Sequence, residues 1–309
     1  MPDLADVLAL ALTVDDFKPF VLTGLALGAV YALSATGIVV LYQATGVLNL
    51  AFGAVGALGA LVSWELVNST GIPEWPCYLA CVGVGAVVTL LYGVTFGRAF
   101  AARDPLVKAI GTLGLALILL GAMYWIWPAG TFARSLIMPT TNWGFDVGFL
   151  NARLNGTQLI AFCFTVLVTA GTWLFLRYTN LGTAMRALAN DREIAATLGV
   201  PVRRVEAYAW LGSGLLCGAS GLLLANLVGL DAGSLTFLVI SALAAALIAR
   251  LRSIWVTLLA GIGIGLAEAL ATPIFEISRY RTMAPFVLAI AALLIFQRQR
   301  VMPVARTAR

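Results

Sequence analysis

Residues 24–60 read GLALGAVYALSATGIVVLYQATGVLNLAFGAVGALGA and contain no charged side chain. A helix needs ~20 apolar residues to cross ~30 Å of hydrocarbon, so this stretch is long enough for nearly two membrane crossings. The run Gln43 to Gly46 interrupts the stretch without adding a charge. It is either a turn between two spans or a kink within one longer helix. Both alternatives predict helices that are embedded in a membrane.

The composition of the whole chain supports the same fold class. Of 309 residues, 61% are hydrophobic and 11% are charged, whereas soluble domains carry roughly 25% charged residues. Breaks that contain charges, Gly or Pro separate apolar segments at 20–41, 44–63, 78–97, 107–127, 157–176, 205–229, 233–249, 254–272 and 284–297. We therefore expect an all-α, polytopic integral membrane helix bundle of about nine transmembrane helices, within a range of about eight to ten, that forms one domain over residues 1–309.

The basic residues indicate how the chain is oriented. Short cytoplasmic loops carry an excess of Lys and Arg, and most of the 19 basic residues fall on one side if the N-terminus is outside and the C-terminus is cytoplasmic. The chain starts with acidic rather than basic residues, so we expect no secretory signal and interpret residues 1–19 as a short segment at the membrane interface. The longest loops are then 128–156 outside and 177–204 inside.

The cytoplasmic loop 177–204 reads RYTNLGTAMRALANDREIAATLGVPVRR and is predicted to contain short helices. Asn190 or Asp191 suits the N-cap of the second helix, because a short side-chain oxygen accepts hydrogen bonds from free N–H groups there. Gly199 suits the position after the last helical turn, and Pro201 prevents the helix from continuing.

One face of this second helix carries apolar side chains between charged ones. Ile194, Ala195 and Leu198 form a stripe at helical spacing, which is typical of a small amphipathic helix that docks onto a partner. The alternative is a solvated basic loop that only sets the membrane topology. Composition alone does not separate these two interpretations.

Three stretches resemble the branched-chain amino acid type of ABC transporter permease, the LivH-like family. Residues 181–210, LGTAMRALANDREIAATLGVPVRRVEAYAW, resemble its cytoplasmic loop, and residues 24–60 resemble its N-terminal motif. Residues 251–270, LRSIWVTLLAGIGIGLAEAL, resemble a third segment near the C-terminus. Phe52 departs from the pattern, since the family has His at this position. The departure implies a less polar solute, or one that differs from a simple branched-chain amino acid.

The resemblance implies the permease subunit of an ATP-driven importer, multi-pass in the lipid bilayer of a bacterial plasma membrane. Its partners would be a homologous second permease subunit, two cytoplasmic ATPase subunits and an external substrate-binding protein. Glu193, Ala195 and Gly199 keep the E-x-A-x-x-x-G spacing with which such permeases engage their ATPases. The residues that the resemblance assigns to ATPase coupling are Arg186, Asp191, Glu193, Ala195 and Gly199.

The sequence itself offers no catalytic apparatus. A Walker A loop places Lys directly after Gly to bind phosphates, and neither Lys18 nor Lys108, which are the only lysines, follows a Gly. We therefore expect no ATP site, no cofactor and no enzymatic activity in this chain. The absence of His excludes a His-containing metal site, and we interpret the four cysteines as packing residues. The net charge of +5 serves topology rather than nucleic-acid binding.

Polar residues inside the spans are candidates for the substrate pathway, because each is costly unless it faces protein or water. The polar candidates are Asn49, Tyr31 and Glu268, followed by Tyr42 and Thr45. Phe52 is a further candidate, because it departs from the family pattern beside the pathway that the resemblance implies. Asn49 either contacts a ligand or bonds the carbonyl of a neighbouring helix. Glu268 either contacts a ligand ammonium group or pairs with Arg250, Arg252 or a partner subunit.

The main functional alternative is an ion-coupled secondary transporter. Such proteins usually combine inverted repeats with several buried charges, whereas no repeat is visible here and Glu268 is the one acid well inside a predicted span. A membrane enzyme would need a nucleophile, a base or a metal cluster. Elsewhere, the glycine pairs Gly24/Gly28 and Gly261/Gly265 predict close helix packing, and Asp231 predicts a helix cap on the outer face.

Overall fold

The computed structural model describes residues 14–70, 73–100, 103–128, 143–147, 152–273, 286–288 and 290–291. The elements in chain order are α1 (Val14–Thr45), α2 (Phe52–Thr70), α3 (Glu74–Ala99), α4 (Pro105–Ile126), β1 (Gly144–Val147), β2 (Ala152–Asn155), α5 (Gly156–Tyr178), α6 (Asn180–Asn190), α7 (Arg192–Thr197), α8 (Val202–Val228), α9 (Ala232–Phe237), α10 (Val239–Ile248) and α11 (Ile254–Leu270). The predicted helical membrane fold is confirmed. One antiparallel strand pair, β1 with β2, is added within the predicted outer loop.

Helices that are long and apolar enough to cross a membrane make up most of the described chain. Five of them meet both criteria: Phe17–Thr45, Glu74–Gly97, Pro105–Ile126, Gly156–Tyr178 and Val202–Val228. Two shorter apolar stretches, Ala232–Ile248 and Ile254–Leu270, follow them. Each predicted span up to residue 272 overlaps a helix or a helix pair, but the second span was predicted over 44–63, whereas α2 begins only at Phe52.

Two predicted segments fall partly outside the described residues. Of the predicted interfacial segment 1–19, only residues 14–19 are described, and they form the first residues of α1. Of the predicted last span, 284–297, only residues 286–288 and 290–291 are described. Within the described chain, the predicted span 233–249 differs from expectation because Leu238 divides it into α9 and α10.

The interruption after residue 43 is a turn rather than a kink. Helix α1 ends at Thr45, and the next helix begins only at Phe52. The Gly46 N–H donates to the Tyr42 carbonyl at 2.8 Å, and the Val47 N–H donates to the Thr45 hydroxyl at 3.1 Å. These bonds satisfy backbone groups where the helical ladder stops. We call residues 46–51 the Asn49 turn.

Helix α1 lies at the centre of the described bundle. Of the most apolar window of α1, 89% is buried, compared with 61% for α8 and only 17% for α4. The side chains that α4 leaves exposed are mainly large and apolar, including Leu117, Ile118 and Trp125. This distribution fits a protein surrounded by hydrocarbon, since apolar side chains need no water-facing cover there.

Glycine packing joins α1 to α11, as the sequence predicts. A Cβ atom added to Gly28 would lie 2.6 Å from the Ile262 Cα, and one added to Gly261 would lie 2.6 Å from the Ala32 Cα. Both distances are too short for real atoms, so these glycines allow the two backbones to approach closely. The contact sets the spacing of the two helices that carry Tyr31 and Glu268.

Candidate functional site

A cavity of about 600 Å³ lies beside the N-terminal half of α1, between the ends of α8 and α11 and the short helices α9 and α10. We call it the Tyr31 cavity. It is lined by apolar and aromatic side chains, several hydroxyls and a carboxylate: Phe20, Thr23, Leu27, Tyr31, Leu227, Val228, Ser234, Phe237, Leu238, Ile240, Ser241, Glu268, Ala269, Thr272 and Phe286. Small-molecule sites typically measure ~300–1,000 Å³ and combine apolar walls with a few polar groups. The cavity therefore fits a small solute that has both a polar and an apolar part.

Tyr31 and Glu268 meet in the wall of this cavity. The Tyr31 hydroxyl donates a hydrogen bond to Glu268 Oε2 at 3.0 Å, which joins the middle of α1 to the last turn of α11. Tyr31 is 1% exposed and Glu268 is 9% exposed. A buried carboxylate needs hydrogen bonds or a charge partner to offset the loss of hydration. The structure thus brings together two residues that the sequence proposed separately.

The arginines that the sequence offered as partners of Glu268 lie at the opposite end of α11. Arg250 and Arg252 precede the N-cap Ser253, whereas Glu268 is close to the C-terminus of the helix. A helix rises ~1.5 Å per residue, so Arg252 and Glu268 are separated by about 24 Å along the axis. The predicted pairing of Glu268 with these arginines is therefore wrong.

Asn49 is buried in the Asn49 turn, and only one of its two polar side-chain atoms forms a hydrogen bond. Its Oδ1 atom accepts the Ala51 N–H at 3.0 Å, which stabilises the turn locally. Its Nδ2 atom has no hydrogen-bond partner, although Asn49 is only 2% exposed. The predicted bond from Asn49 to the carbonyl of a neighbouring helix is therefore absent. An unsatisfied buried donor costs ~1–3 kcal/mol.

The side chain of Thr112, on α4, contacts the backbone of the Asn49 turn. The Thr112 Oγ1 accepts the Leu50 N–H at 3.1 Å and lies 2.9 Å from the Leu48 carbonyl oxygen. It also lies 2.8 Å from the Ala109 carbonyl oxygen of its own helix. Sequence reasoning missed this residue, because a Thr within an apolar helix usually bonds its own backbone and nothing nearby in the chain signals a distant partner.

Phe52 fills the space between the Tyr31 cavity and the Asn49 turn. Phe52 is 2% exposed, and its ring packs so closely on α1 that a Cβ atom on Gly37 would lie 2.6 Å from it. Beside the ring is a void of about 10 Å³ whose lining includes Ser34 and Leu238. Leu238 also lines the Tyr31 cavity. Along α1 the order is therefore cavity, Leu238, Phe52 and turn.

The secondary candidates Tyr42 and Thr45 lie at the end of α1 and do not line the Tyr31 cavity. The Thr45 hydroxyl donates to the Leu41 carbonyl at 2.8 Å and accepts the Val47 N–H, so its bonding is local. The carbonyl of Tyr42 accepts the Gly46 N–H. The backbone of Tyr42 and the hydroxyl of Thr45 thus shape the start of the Asn49 turn.

The predicted cytoplasmic loop folds into α6 and α7, and we call residues 180–199 the α6–α7 segment. Asp191 is the N-cap, since its Oδ1 accepts the N–H groups of Glu193 at 2.9 Å and Ile194 at 3.0 Å. Gly199 has φ of +84°, and the Val200 N–H donates back to the Ala195 carbonyl at 3.1 Å. This is a Schellman-type ending, in which glycine adopts the left-handed conformation at little cost.

The side chains of the α6–α7 segment divide between two faces. Ile194 and Leu198 are 58% and 78% exposed, although both are apolar. Ala195 was expected on the same stripe but is 2% exposed, because the 100° step of the helix turns its methyl group towards the bundle. Arg186 is exposed and donates to the Arg177 carbonyl at 3.2 Å, and Glu193 is exposed. The outward apolar face therefore consists of Ile194 and Leu198 without Ala195.

An ion pair that the sequence did not predict joins α7 to α8. Arg192 Nη2 lies 2.8 Å from Glu206 Oε1, and the Glu206 side chain is only 18% exposed. Lys108, near the start of α4, is close enough to interact electrostatically with both residues. No local pattern in the sequence marks this pairing, because the partners lie on different helices.

Three of the four cysteines, Cys77, Cys81 and Cys217, are buried as expected of packing residues, whereas Cys163 is exposed. Cys217 donates from Sγ to the Phe52 carbonyl at 2.8 Å, and Cys81 donates to the Gly218 carbonyl at 3.3 Å. Among the residues that the structure describes, no group of three His, Cys, Asp or Glu side chains is arranged to hold a metal ion. Asp231 caps α9 as predicted, since its Oδ2 accepts the Ser234 N–H at 2.7 Å.

Comparison with known protein families assigns the chain to one of them. A family model described as the permease component of the branched-chain amino acid transport system matches residues 20–296. The chain belongs to this permease family. The match covers nearly all of the described helices, including those that form the Tyr31 cavity and the α6–α7 segment.

Individual relatives agree with the family. The permease is 30% identical over 253 residues to a probable branched-chain amino acid transport permease protein LivH of Methanocaldococcus jannaschii, covering 78% of this chain and 76% of that one. It is 28% identical over 287 residues to the high-affinity branched-chain amino acid permease LivH of Escherichia coli K12, covering 88% and 91%. A fructose import permease, FruG of Bifidobacterium longum, is 25% identical over 195 residues, covering 60% and 53%.

Membership confirms the resemblance noted in the sequence. The chain is a membrane-embedded permease of the ABC importer type, and the alternative of an ion-coupled secondary transporter is excluded. A permease subunit moves a solute and does not transform it.

Proposed function

We propose that this permease imports branched-chain amino acids, or a related small polar solute, through the Tyr31 cavity. The observation that carries the proposal is the Tyr31–Glu268 pair, which presents a buried carboxylate beside aromatic walls. A branched-chain amino acid combines an ammonium group with an apolar side chain. The carboxylate matches the first, and Phe20, Phe237 and Phe286 match the second.

The remaining polar groups of the cavity suit the other end of such a solute. Hydroxyls of Thr23, Ser234, Ser241 and Thr272 line the same space. A hydroxyl donates to a carboxylate without bringing a competing charge, so a zwitterion is satisfied at both ends. A neutral sugar would use the hydroxyls but would leave the charge of Glu268 without a complementary group.

Passage through the bilayer requires the opposite end of the pathway to open. Phe52 and Leu238 fill the space between the cavity and the Asn49 turn. We assign Phe52 as the seal that separates the two ends, and Asn49 as a polar group that a passing solute meets once Phe52 has moved. Alternating access then consists of moving α2, which carries Phe52, relative to α1.

The energy for this movement is assigned to separate subunits. We place ATP hydrolysis on two cytoplasmic ATPase subunits, since neither lysine of this chain follows a glycine as a phosphate-binding loop requires. The ATPases would dock on the α6–α7 segment, which carries the exposed apolar side chains of Ile194 and Leu198 together with the exposed charges of Arg186 and Glu193. Asp191 and Gly199 define the ends of the docking helix, and Ala195 packs it onto the bundle.

Further features of the assembly follow from the same proposal. The N-terminus lies outside and the C-terminus in the cytoplasm of a bacterial plasma membrane, so that the α6–α7 segment faces the ATPases. The Tyr31 cavity then lies towards the outer face, because α1 enters the membrane from that side. An external substrate-binding protein delivers the solute there, and a homologous second permease subunit completes the pathway.

The test is reconstitution of the complex in proteoliposomes with its co-purifying ATPase subunits and binding protein. We expect ATP-dependent accumulation of tritiated leucine, and competition by isoleucine and valine. A vanadate-inhibited sample is the control for ATP dependence. Accumulation of fructose without any leucine uptake would contradict the assigned solute but not the importer. Absence of ATP-dependent uptake of every tested solute would contradict the proposed function itself.

A further inference from the structure

We propose that Thr112 is a positioning residue through which movement of the α6–α7 segment reaches the Asn49 turn. The inference rests on the proposed function, in which ATPase subunits bind this segment. It follows from three consecutive contacts that lead from α7 to α8, from there to α4, and from α4 to the turn.

The first contact joins the docking helix to the membrane bundle. Arg192 is the first residue of α7, and it pairs with Glu206, in the second turn of α8, at 2.8 Å. Lys108 on α4 interacts electrostatically with the two members of this pair. A shift of α7 that changes the Arg192–Glu206 distance therefore changes the electrostatic balance at the start of α4.

Helix α4 connects the contact at Lys108 to the contact at Thr112. Lys108 and Thr112 are four residues apart and so lie on the same face of the helix. Few residues of α4 are buried, namely Thr112, Ala116 and Met123. Because the rest of α4 has little protein around it, Thr112 is the buried polar side chain that joins the movement of this helix to the bundle.

The third contact has two alternative states. The Thr112 hydroxyl has one proton, but it lies within hydrogen-bonding distance of two carbonyl oxygens, those of Leu48 at 2.9 Å and of Ala109 at 2.8 Å. Donation to Leu48 ties the turn to α4, whereas donation to Ala109 leaves only the bond from the Leu50 N–H. A small displacement of α4 therefore decides whether the turn is held by one hydrogen bond or by two.

The Asn49 turn is suited to respond to such a change. The Nδ2 atom of Asn49 is buried and has no hydrogen-bond partner. Releasing the turn lets this amide find an acceptor, and Phe52 follows because it begins the next helix. Thr112 thus acts through Asn49 and Phe52 and does not itself need to touch the solute.

The test compares variants of Thr112 in the reconstituted complex with its ATPases and binding protein. Thr112→Val removes the hydroxyl and keeps the branched shape, while Thr112→Ser keeps the hydroxyl. Thr165→Val is the matched control, because Thr165 is fully buried and its hydroxyl has no partner. We measure ATP hydrolysis and uptake of tritiated leucine in the same vesicles.

We expect Thr112→Val to lower the leucine taken up per ATP hydrolysed by about tenfold, while Thr112→Ser and Thr165→Val stay within about twofold of the wild type. A wild-type ratio in Thr112→Val overturns the inference. So does a proportional fall of hydrolysis and uptake, because a purely structural defect would produce it.

Two further variants keep the test decisive. Glu206→Gln breaks the first contact without touching Thr112, and it should lower the same ratio; if Thr112→Val does not fold, a wild-type ratio in Glu206→Gln overturns the inference. Leu198→Asp on the docking face should lower hydrolysis and uptake together. If Leu198→Asp has no effect, the proposed docking of the ATPases is wrong, and the inference falls with it.

Discussion

The Tyr31 cavity and the Asn49 turn are built on the two ends of one helix, α1, and they differ in how their polar groups are satisfied. At the cavity, Tyr31 and Glu268 bond each other beside a space of about 600 Å³. At the turn, the Nδ2 atom of Asn49 has no hydrogen-bond partner, and the void beside Phe52 measures about 10 Å³. We call the first the open end, because it contains the cavity and its polar groups are hydrogen-bonded. We call the second the closed end, because almost no free space is left there and the Asn49 Nδ2 atom lacks a hydrogen bond.

Under the proposed function, this difference marks the turn as the end of the pathway that rearranges. A buried unsatisfied donor costs ~1–3 kcal/mol, so the closed conformation of the turn carries a local destabilisation that the cavity lacks. In the proposed importer, this destabilisation of the closed conformation lowers the free energy that the ATPases must supply to open this end.

The largest effect is expected from Gly265→Leu, which attacks the helix contact that brings Tyr31 and Glu268 together. A side chain at Gly265 would overlap the backbone of Gly28, so α1 and α11 would be forced apart. We expect loss of folded protein, measured as the monodisperse yield in detergent. Gly263→Leu is the control, because a Cβ atom at Gly263 meets no other atom within 4 Å. A normal yield of Gly265→Leu would contradict the packing.

Much of this contact was predictable from the sequence, because it depends on local patterns. Glycines at four-residue spacing on two apolar segments indicate close packing wherever the partner lies. The caps by Asp191 and Asp231 and the ending at Gly199 were predictable for the same reason, since each depends on residues within one helical turn.

Contacts between distant parts of the chain could not be predicted in this way. Thr112 and Leu48 are 64 residues apart, and nothing near either residue indicates the other. Even for Tyr31 and Glu268, the sequence identified two costly polar groups but not the bond between them. The burial of Ala195 depends on which side of α7 faces the bundle, and that is decided by the packing of α6 and α7 rather than by their periodicity.

The second prediction tests whether the closed end is closed by Phe52. Phe52→Ala should open a passage from the Tyr31 cavity towards the Asn49 turn, because the ring occupies the space between them. We expect ATP-independent equilibration of leucine across proteoliposomes, together with a loss of ~3–5 kcal/mol in folding stability, as is usual for a buried Phe. Efflux of preloaded leucine without ATP measures the leak.

The matched control for this leak is a Phe that lines neither end of the pathway. Phe164 on α5 is 40% exposed, and Phe164→Ala should leave the vesicles tight. Equal leak rates in Phe52→Ala, Phe164→Ala and the wild type would mean that Phe52 is not the seal. The contrast between an open and a closed end of α1 would then need another explanation.

The third prediction concerns the charge at the open end. Glu268→Gln keeps the shape of the side chain but removes the charge that we assign to the ammonium group of the solute. Hydrogen bonds to charged groups are worth ~1.5–3 kcal/mol, so we expect leucine uptake at a limiting concentration to fall roughly ten- to hundredfold. Initial rates over a range of leucine concentrations separate weaker binding from slower transport.

A second tyrosine–glutamate pair supplies the control for this experiment. Glu74 accepts a hydrogen bond from the Tyr78 hydroxyl at 2.7 Å, and it does not line the Tyr31 cavity. Glu74→Gln should therefore leave leucine uptake unchanged. If Glu268→Gln and Glu74→Gln behave alike, the carboxylate of Glu268 contributes to packing only, and the open end has no charge-recognition role.

The smallest effect is expected from Tyr31→Phe, which removes the hydroxyl but leaves the charge of Glu268. The lost bond goes to a carboxylate and belongs to the stronger, charge-assisted class, but it orients Glu268 and does not contact the solute, so only part of its free energy reaches solute binding. We expect a decrease in leucine uptake of roughly two- to tenfold at limiting concentration. Tyr78→Phe is the matched control. Because Tyr31 positions the carboxylate and does not supply the charge, its effect must be smaller than that of Glu268→Gln. The reverse order would show that the tyrosine hydroxyl contacts the solute directly and that Glu268 serves to orient it.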